Sequence, residues 1–420
     1  MLVGNQSRTR PQIQGTNEPG LLLVKGTVTV DGEKKKLVWN ETHVVKPEPK
    51  GKSGSLTELI GGGGSGAVMR DGALVFPMQA KGKDGTSFLL SMSFDPSDEK
   101  WRLSRETPGK GCKDPTLVKW EKYEGDNERL FMMAHCAGGY YDVYRSILDG
   151  VNWYPYGEPI TRVWGNSHGR TGYGVQSGST TAIIEEKEVM LITAPVYPND
   201  DGKGRLHLWV TDKARVHDVG PVSRGEDDAA ASSLLLKDNN ELISLYENKK
   251  GGAYNLVAVS LTEKLERVKE VVKTWKDLDG ALQSCSSGSS GTVDVRKKGM
   301  CNGRVPTNRL VGFLSGNFSE NTWRDEYLGV NAKVKNGERR VPNGLTFQGS
   351  WAEWPVGDMG QTVPYYFTNN EFALVATVSI HEVPKESSSP VPLVGVRMND
   401  TSSTVLFGLS YTHEKKWLAI

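Results

Sequence analysis

Short runs rich in valine, leucine, isoleucine and threonine recur along the chain, each bounded by glycine-containing turn signals. Examples are GALVFPMQA (72–80), RLFMMAHC (129–136), EVMLITAPV (188–196), GRLHLWVTD (204–212) and YNLVAVSL (254–261). Runs of this length and composition read as strands, and the 48 glycines among 420 residues supply the turns. The chain is therefore expected to be all-β. One stretch departs from the pattern. TEKLERVKEVVKTWKDL (262–278) places Leu265, Val268, Val271, Val272 and Trp275 on one face at helical spacing, so a helix packed against sheets is expected there.

Aligning the tryptophans exposes a repeat. Trp101 follows the acidic turn of SFDPSDEK, Trp153 follows Asp149-Gly150, and Trp209 sits late in a hairpin. A period of about fifty residues with several short strands per unit suggests propeller blades, with a β-sandwich carrying long insertions as the alternative. Beyond residue 350 the texture changes to three strand-like segments, PYYFTNNEFALVATVSIHEVP, VPLVGVRMND and STVLFGLSYTHEKKWLAI. These resemble the opening of a lectin-type β-sandwich, after the polar connector VKNGERRVPNG (334–344). The expected organisation is an irregular segment over 1–19, a partial propeller over 20–345 and the beginning of a sandwich over 350–420. The run IGGGGSG (60–66) lacks the GK[ST] ending of a phosphate loop and opens no helix, so it reads as a tight turn between strands.

With 51 basic and 50 acidic residues the chain carries net charge +1, which gives no electrostatic footprint for nucleic acid or an anionic membrane. No apolar run approaches the ~20 residues of a membrane helix. No signal-peptide core or lipid-anchor tail is visible in the sequence. Four cysteines occur at 112, 136, 285 and 301 without a CxxC pair, which argues against a zinc site. Cys285 and Cys301 bracket SSGSSGTVDVRKKGM, a loop that a disulfide would close for roughly 3 kcal/mol; two unpaired thiols are the alternative. Glycosylation sequons begin at Asn5, Asn40, Asn317 and Asn399.

In NTWRDEYLGVN (321–331), Tyr327 directly follows two acidic residues. A phenol loses its proton only near pKa ~10. It becomes a nucleophile when a carboxylate takes that proton. The plainer reading is an amphipathic packing residue.

Taken together, TRVWG (161–165), LHLWVTD (206–212), KTWKDLDGAL (273–282), LVGFLS (310–315), TWRDEYLGVNA (322–332), RVPNGLTF (340–347) and VATVSIHEVP (375–384) with FGLSY (407–411) resemble the trypanosomal trans-sialidase and sialidase superfamily. ILDGVNW (147–153) looks like a degraded Asp-box, the turn that recurs in sialidase blades. The resemblance implies an incomplete six-bladed sialidase β-propeller followed by the start of a concanavalin A-like lectin β-sandwich. It also implies a tyrosine nucleophile, a glutamate that takes its proton, an aspartate acid/base and three arginines on the sugar carboxylate. Sialidases are an exception to the paired-carboxylate scheme. Arginine suits the carboxylate because its planar fork engages both oxygens.

Carried over by that resemblance, Tyr327 takes the nucleophile position. The glutamate turn reads Cys112-Lys113-Asp114-Pro115, so Asp114 stands there, one methylene shorter. A carboxylate displaced by about 1 Å can cost ~10²-fold. His135 falls at the second clamp arginine and Gly299 at the third, beside Lys297 and Lys298; Arg304 and Arg309 are the nearest guanidinium groups in sequence. Gln176, in GVQSGS, matches a glutamine that lines the sugar pocket. No counterpart of the first arginine or of the acid/base aspartate is found, so the chain is expected to lack the first one or two blades. The plainer readings are a turn cap for Asp114, a core histidine for His135 and a solvated loop for Lys297 and Lys298.

Losing two charge-assisted clamps would forfeit roughly 3–6 kcal/mol. That corresponds to about 10²–10⁴ in affinity. The expectation is a catalytically inactive trans-sialidase-like surface glycoprotein that binds sialylated glycans or host-cell and extracellular-matrix glycoproteins, with no cofactor, no metal, no nucleic acid and no membrane insertion. The intact family member would be at the cell surface or secreted. The alternative is an active exo-α-sialidase or trans-sialidase with a weakened clamp.

Overall fold

The structure is a computed structural model. It describes residues 1–5, 20–32, 34–49, 56–107, 109–122, 128–136, 141–147, 150–156, 175–197, 202–284, 305–337, 339–341, 344–354, 356, 371–398 and 400–420. The chain divides into two compact units, Met1–Asn370 and Glu371–Ile420.

The first unit is a succession of meanders whose strands pair antiparallel apart from one short parallel pairing, Glu48 with Arg102 and Pro49 with Leu103. Strands β1 (Leu2–Asn5), β2 (Gly20–Asp31) and β3 (Lys34–Val45) form one sheet. Strands β4 (Glu48–Pro49), β5 (Leu56–Gly61), β6 (Ala67–Val68), β7 (Leu74–Gly82), β8 (Ser87–Asp95) and β9 (Lys100–Leu103) form the next, in the order β4-β9-β8-β7-β5 with β6 also on β7. Then come β10 (Cys112–Lys122), β11 (Glu128–Cys136), β12 (Tyr141–Ile147) and β13 (Tyr154–Pro155), all paired in sequence order. The following meander has the same order: β14 (Gly178–Ile184), β15 (Lys187–Val196), β16 (Arg205–Thr211) and β17 (Val216–Pro221). Strands β18 (Ala229–Lys237), β19 (Glu241–Lys250) and β20 (Ala253–Ser260) make a three-stranded sheet. After helix α1 (Thr262–Gln283), β21 (Leu314–Ser319), β22 (Thr322–Asp325), β23 (Ala332–Lys335) and β26 (Trp351–Glu353) pair in that order, while β24 (Arg339–Val341) and β25 (Gly344–Thr346) form a ribbon. The first strands of neighbouring meanders, β10, β14 and β18, pack side by side.

Burial follows strand position. Every residue from Val189 to Val196 on β15 is buried, because that strand is sandwiched between neighbouring sheets; its sequence is accordingly apolar apart from Thr193. On β19 buried and accessible residues alternate, so Leu242, Ser244 and Tyr246 share the inner face. Helix α1 buries the five predicted residues and adds Leu278 and Leu282. Its apolar stripe joins Leu206, Leu208, Leu234, Leu242 and Tyr327 in one core. Each fully buried side chain of that size contributes ~1.5–3 kcal/mol. Glu263 in the first turn complements the helix dipole.

The recurrent tryptophans have distinct surroundings. Trp209 is fully buried, whereas Trp101 is half-buried against Phe76 and Phe94. Trp153 reaches the preceding sheet, where its Nε1 donates to Ser91 Oγ at 3.2 Å and Ser91 Oγ donates to the Gly150 carbonyl at 2.6 Å. Gly150 has φ +69°, and a Cβ there would lie 3.1 Å from Val75 and 3.3 Å from Leu130. The turn thus needs glycine for both its conformation and its close approach.

Strand β26 pairs with β23, matching Val334 with Ala352 and Lys335 with Trp351. Residues 351–353 therefore belong to the first unit, and the compact division falls later than the sequence texture suggested. The second unit contains the antiparallel sheet β27 (Val391–Arg397), β28 (Val405–Tyr411) and β29 (Trp417–Ala419), with ring contacts Phe372–Phe407 and Tyr411–Trp417. No helix among the described residues is long and apolar enough to cross a membrane.

Candidate functional site

Four backbone segments meet where β10, β14 and β18 begin and β5 ends. Asp114, near the start of β10, has φ +52° and lies in the register shift between Lys113 and Thr116. Such a conformation is uncommon outside glycine, though aspartate tolerates it better than most. Its N–H donates to Gln79 Oε1 on β7 at 3.2 Å. Burial pushes the Asp114 carboxyl above the usual range, with Lys113 opposing the shift. A carboxyl shifted upward by burial takes a proton more readily than a free one.

The glycine run fits tightly against this turn. A Cβ on Gly62 would lie 2.7 Å from the Pro77 carbonyl oxygen and 2.9 Å from Pro115 Cγ. One on Gly64 would lie 3.0 Å from the Pro115 carbonyl oxygen and 3.1 Å from Gln176 Nε2. Gly63, at φ +78°, would place it 3.0 Å from Gln176 Oε1. Both ends of the Gln176 amide therefore lie against the glycine backbone. The expected inter-strand turn is present between β5 and β6, and its glycines let the Gln176 side chain approach.

Hydrogen bonds extend the arrangement to the next two meanders. Thr116 Oγ1 donates to the Ser177 carbonyl at 2.9 Å. Ser232 N donates to the Gln176 carbonyl at 3.2 Å, and Gly178 N donates to Ser232 Oγ at 3.1 Å. Ser232 Oγ and Thr193 Oγ1 are 2.9 Å apart. Between Ala229 and Ser232 the β18–β19 register shifts, so alanines occupy the irregular opening of β18. Asp114 and Gln176 are thus brought to one place by Gly62–Gly64 and Pro115. Sequence reasoning missed Gln79, Thr193 and Ser232; glutamine, serine and threonine within strands carry no distinguishing local pattern.

The Tyr327 hydroxyl is taken up by a carboxylate other than Asp114. Its side chain is 1% exposed and belongs to the core around α1. The hydroxyl donates to Asp279 Oδ1 at 2.7 Å, and the Arg215 guanidinium lies 3.9 Å from the ring centroid. Arg215 Nη2 is 2.8 Å from Asp279 Oδ1, its Nη1 is 2.9 Å from Asp212 Oδ2, and Lys187 Nζ is 2.9 Å from Asp279 Oδ2. Burial, and then the hydrogen bond to Asp279, push the phenol far above its ordinary range. Burial also raises Asp279, but Lys187, Arg215 and the phenol outweigh it and hold that carboxylate low. The helix carboxylate captures the hydroxyl because Trp275 Nε1 donates to the Tyr327 carbonyl at 2.8 Å and fixes its backbone on α1. The adjacent Asp325 is spent on its own turn, accepting from the N–H groups of Phe313, Tyr327, Gly329 and Val330.

His135 is half-buried on β11, opposite Lys113 in register and next to Cys136. Cys112 and Cys136 form a disulfide that the sequence did not suggest. It ties β10 to β11 one rung from the Lys113–His135 pair, beside the irregularity at Asp114. Lys298 and Arg304, with Lys297 and Gly299, lie outside the described residues, as do Cys285 and Cys301. Arg309 is described, with φ +63°. Asn40 and Asn317 of the sequons are exposed.

Residues 1–247 match the BNR repeat-like domain family, and residues 306–420 match the trans-sialidase C-terminal domain family. A Trypanosoma cruzi sialidase is 31% identical over 368 residues, which cover 86% of this chain and 30% of the relative. Sialidase 85-1.1 of Trypanosoma cruzi is 31% identical over 419 residues, covering 95% of this chain and 51% of that protein. Among solved structures, Trypanosoma rangeli sialidase in complex with sialic acid superposes with TM-score 0.82 at 34% identity. The same enzyme with 2,3-difluorosialic acid, a covalent intermediate, gives 0.81 at 34% identity. Each superposition covers all of this chain and 66% of the other. The chain thus spans about half or less of the curated relatives and two thirds of the solved ones. Its fold is that of a sialidase propeller with a C-terminal lectin-like domain, and the chain belongs to the trypanosomal trans-sialidase and sialidase superfamily.

Proposed function

We propose that this chain is a non-hydrolytic member of its superfamily that binds sialylated glycans at the junction of Gly62–Gly64, Asp114, Gln176 and Ser232. The observation that carries the reading is the position of the Tyr327 hydroxyl. It is sealed against Asp279 beneath Arg215. A buried phenol with a raised pKa is a poor nucleophile, and a carboxylate already paired with Lys187 and Arg215 is a weak proton acceptor. The alanines that open β18 add no nucleophile to the junction.

The junction itself offers the half-buried Gln176 amide and the half-buried Asp114 carboxyl, which suit hydrogen bonding to sugar hydroxyl and acetamido groups. The sialic acid complexes of the Trypanosoma rangeli relative support a sialylated ligand. Host-cell and matrix glycoproteins bearing such sugars are the proposed partners, and the cell surface is the proposed location. The relatives' own description as sialidases supports the second reading, an active exo-α-sialidase or trans-sialidase.

The test combines two measurements on the purified chain. A fluorogenic sialoside reports hydrolysis, and a sialylated glycan array with matched desialylated probes reports binding. Binding to the sialylated probes without product release supports the proposal, with Gln176→Ala reducing the binding. Product release abolished by Tyr327→Phe would establish the enzymatic reading instead.

A further inference from the structure

We propose that Cys112, Cys136 and Asp142 form a redox-gated site for a thiophilic divalent cation, closed as the disulfide and opened by reduction. The three residues lie on adjoining strands β10, β11 and β12, and their sulfur and carboxylate atoms all fall within 4.8 Å of one another. The register explains the convergence. Cys112 is opposite Cys136, and Asp142 is opposite Ala134, so alternation turns Cys136 and Asp142 to the same face of the sheet. Tyr144 Oη donates to Asp142 Oδ2 at 3.0 Å, the kind of outer hydrogen bond that orients a metal-binding carboxylate. No CxxC motif announces the set, because its members come from three strands.

The chemistry separates two states. A dithiol or phosphine reductant supplies two electrons and, with solvent, two protons. The S–S bond breaks, two thiols form, and the reductant becomes its own disulfide or phosphine oxide. On binding a cation such as Zn²⁺ the thiols release two protons to solvent, and two metal–sulfur bonds and one metal–oxygen bond form. Zinc takes thiolate at about 2.3 Å and carboxylate at about 2.0–2.2 Å, which places tetrahedral donors roughly 3.3–3.8 Å apart. The sulfurs must part, and the carboxylate needs only a modest approach. Either cross-link would secure β10 to β11 next to the Asp114 irregularity, where the strand ladder is interrupted. The reduced, metal-free chain is the state in which that turn is loosened.

The experiment uses the full chain carrying C285S and C301S, so that only the two thiols in question remain. It is titrated anaerobically with Co²⁺ before and after phosphine reduction, with the phosphine removed. The expected result is no saturable signal from the oxidised chain. The reduced chain should bind one Co²⁺ with a near-ultraviolet thiolate charge-transfer band, and Zn²⁺ should displace it. Asp142→Asn is expected to weaken binding by at least ~10-fold while leaving the disulfide able to form. Absence of the band in reduced chain that still shows its thermal transition would overturn the proposal, as would a stoichiometry or affinity indifferent to Asp142. The oxidised and reduced forms share one sequence, so the comparison does not depend on substituting Cys112 or Cys136.

Discussion

Tyr327 and Asp279 are joined by a 2.7 Å hydrogen bond across 48 residues of sequence, and Arg215 roofs the phenol at 3.9 Å. This contact fastens the β22–β23 segment to the last turns of α1. Ring and hydroxyl alike are held within the core around α1.

Tyr327→Phe removes one donor to an ionised acceptor while retaining the ring beneath Arg215. The expected cost is ~1.5–3 kcal/mol of stability, the range for hydrogen bonds to charged groups. Chemical denaturation measures it. Glycan binding by the folded variant should be unchanged; loss of binding at full stability would return Tyr327 to the ligand site.

Arg215→Ala should be more damaging. Its side chain is 4% exposed and bridges Asp212 and Asp279, while its Nε donates to the Leu310 carbonyl at 2.8 Å. Removing one partner of a buried ion pair leaves the other uncompensated, at ~3–5 kcal/mol. A midpoint within experimental error of the parent would show that Lys187 alone satisfies both carboxylates.

Gly63→Ala tests the junction of the glycine loop and Gln176. A methyl group there is strained at φ +78° and meets Gln176 Oε1 at 3.0 Å. The stability cost is expected near ~1 kcal/mol. Binding of a sialylated probe should fall by about 10-fold as the amide is displaced, which corresponds to ~1.4 kcal/mol. Undiminished affinity, measured by calorimetry, would place the ligand elsewhere.

The pH dependence of stability should carry a histidine component. Burial lowers the pKa of His217, and its hydrogen bond to the Leu328 carbonyl only partly offsets this. The unfolded chain therefore binds a proton below its ordinary value of 6.5, while the folded chain resists protonation. The neutral histidine's stabilisation is full above that pH and declines as pH falls through the window below it. Denaturation midpoints taken between about pH 7.5 and 5 should show the decline, and His217→Gln should flatten it. Asp279 adds a second, more acidic decline below 3.8, because its carboxylate is held low in the folded chain.

The sequence by itself determined the β class, the start and buried face of α1, the Trp-marked meanders and the superfamily. These are periodic or motif-borne properties, written in residues close together along the chain. Alternation decides which side of β19 is buried, and 3.6-residue spacing decides which side of α1 meets the sheets. Tertiary structure alone decided the partners. Tyr327 met Asp279 instead of Asp114, because Trp275 holds its backbone against the helix. Cys112 found Cys136, because β10 and β11 align in register, and Gln176 settled against Gly63 and Gly64. Side-chain partners drawn from distant segments depend on how whole sheets pack, and no local spacing encodes that.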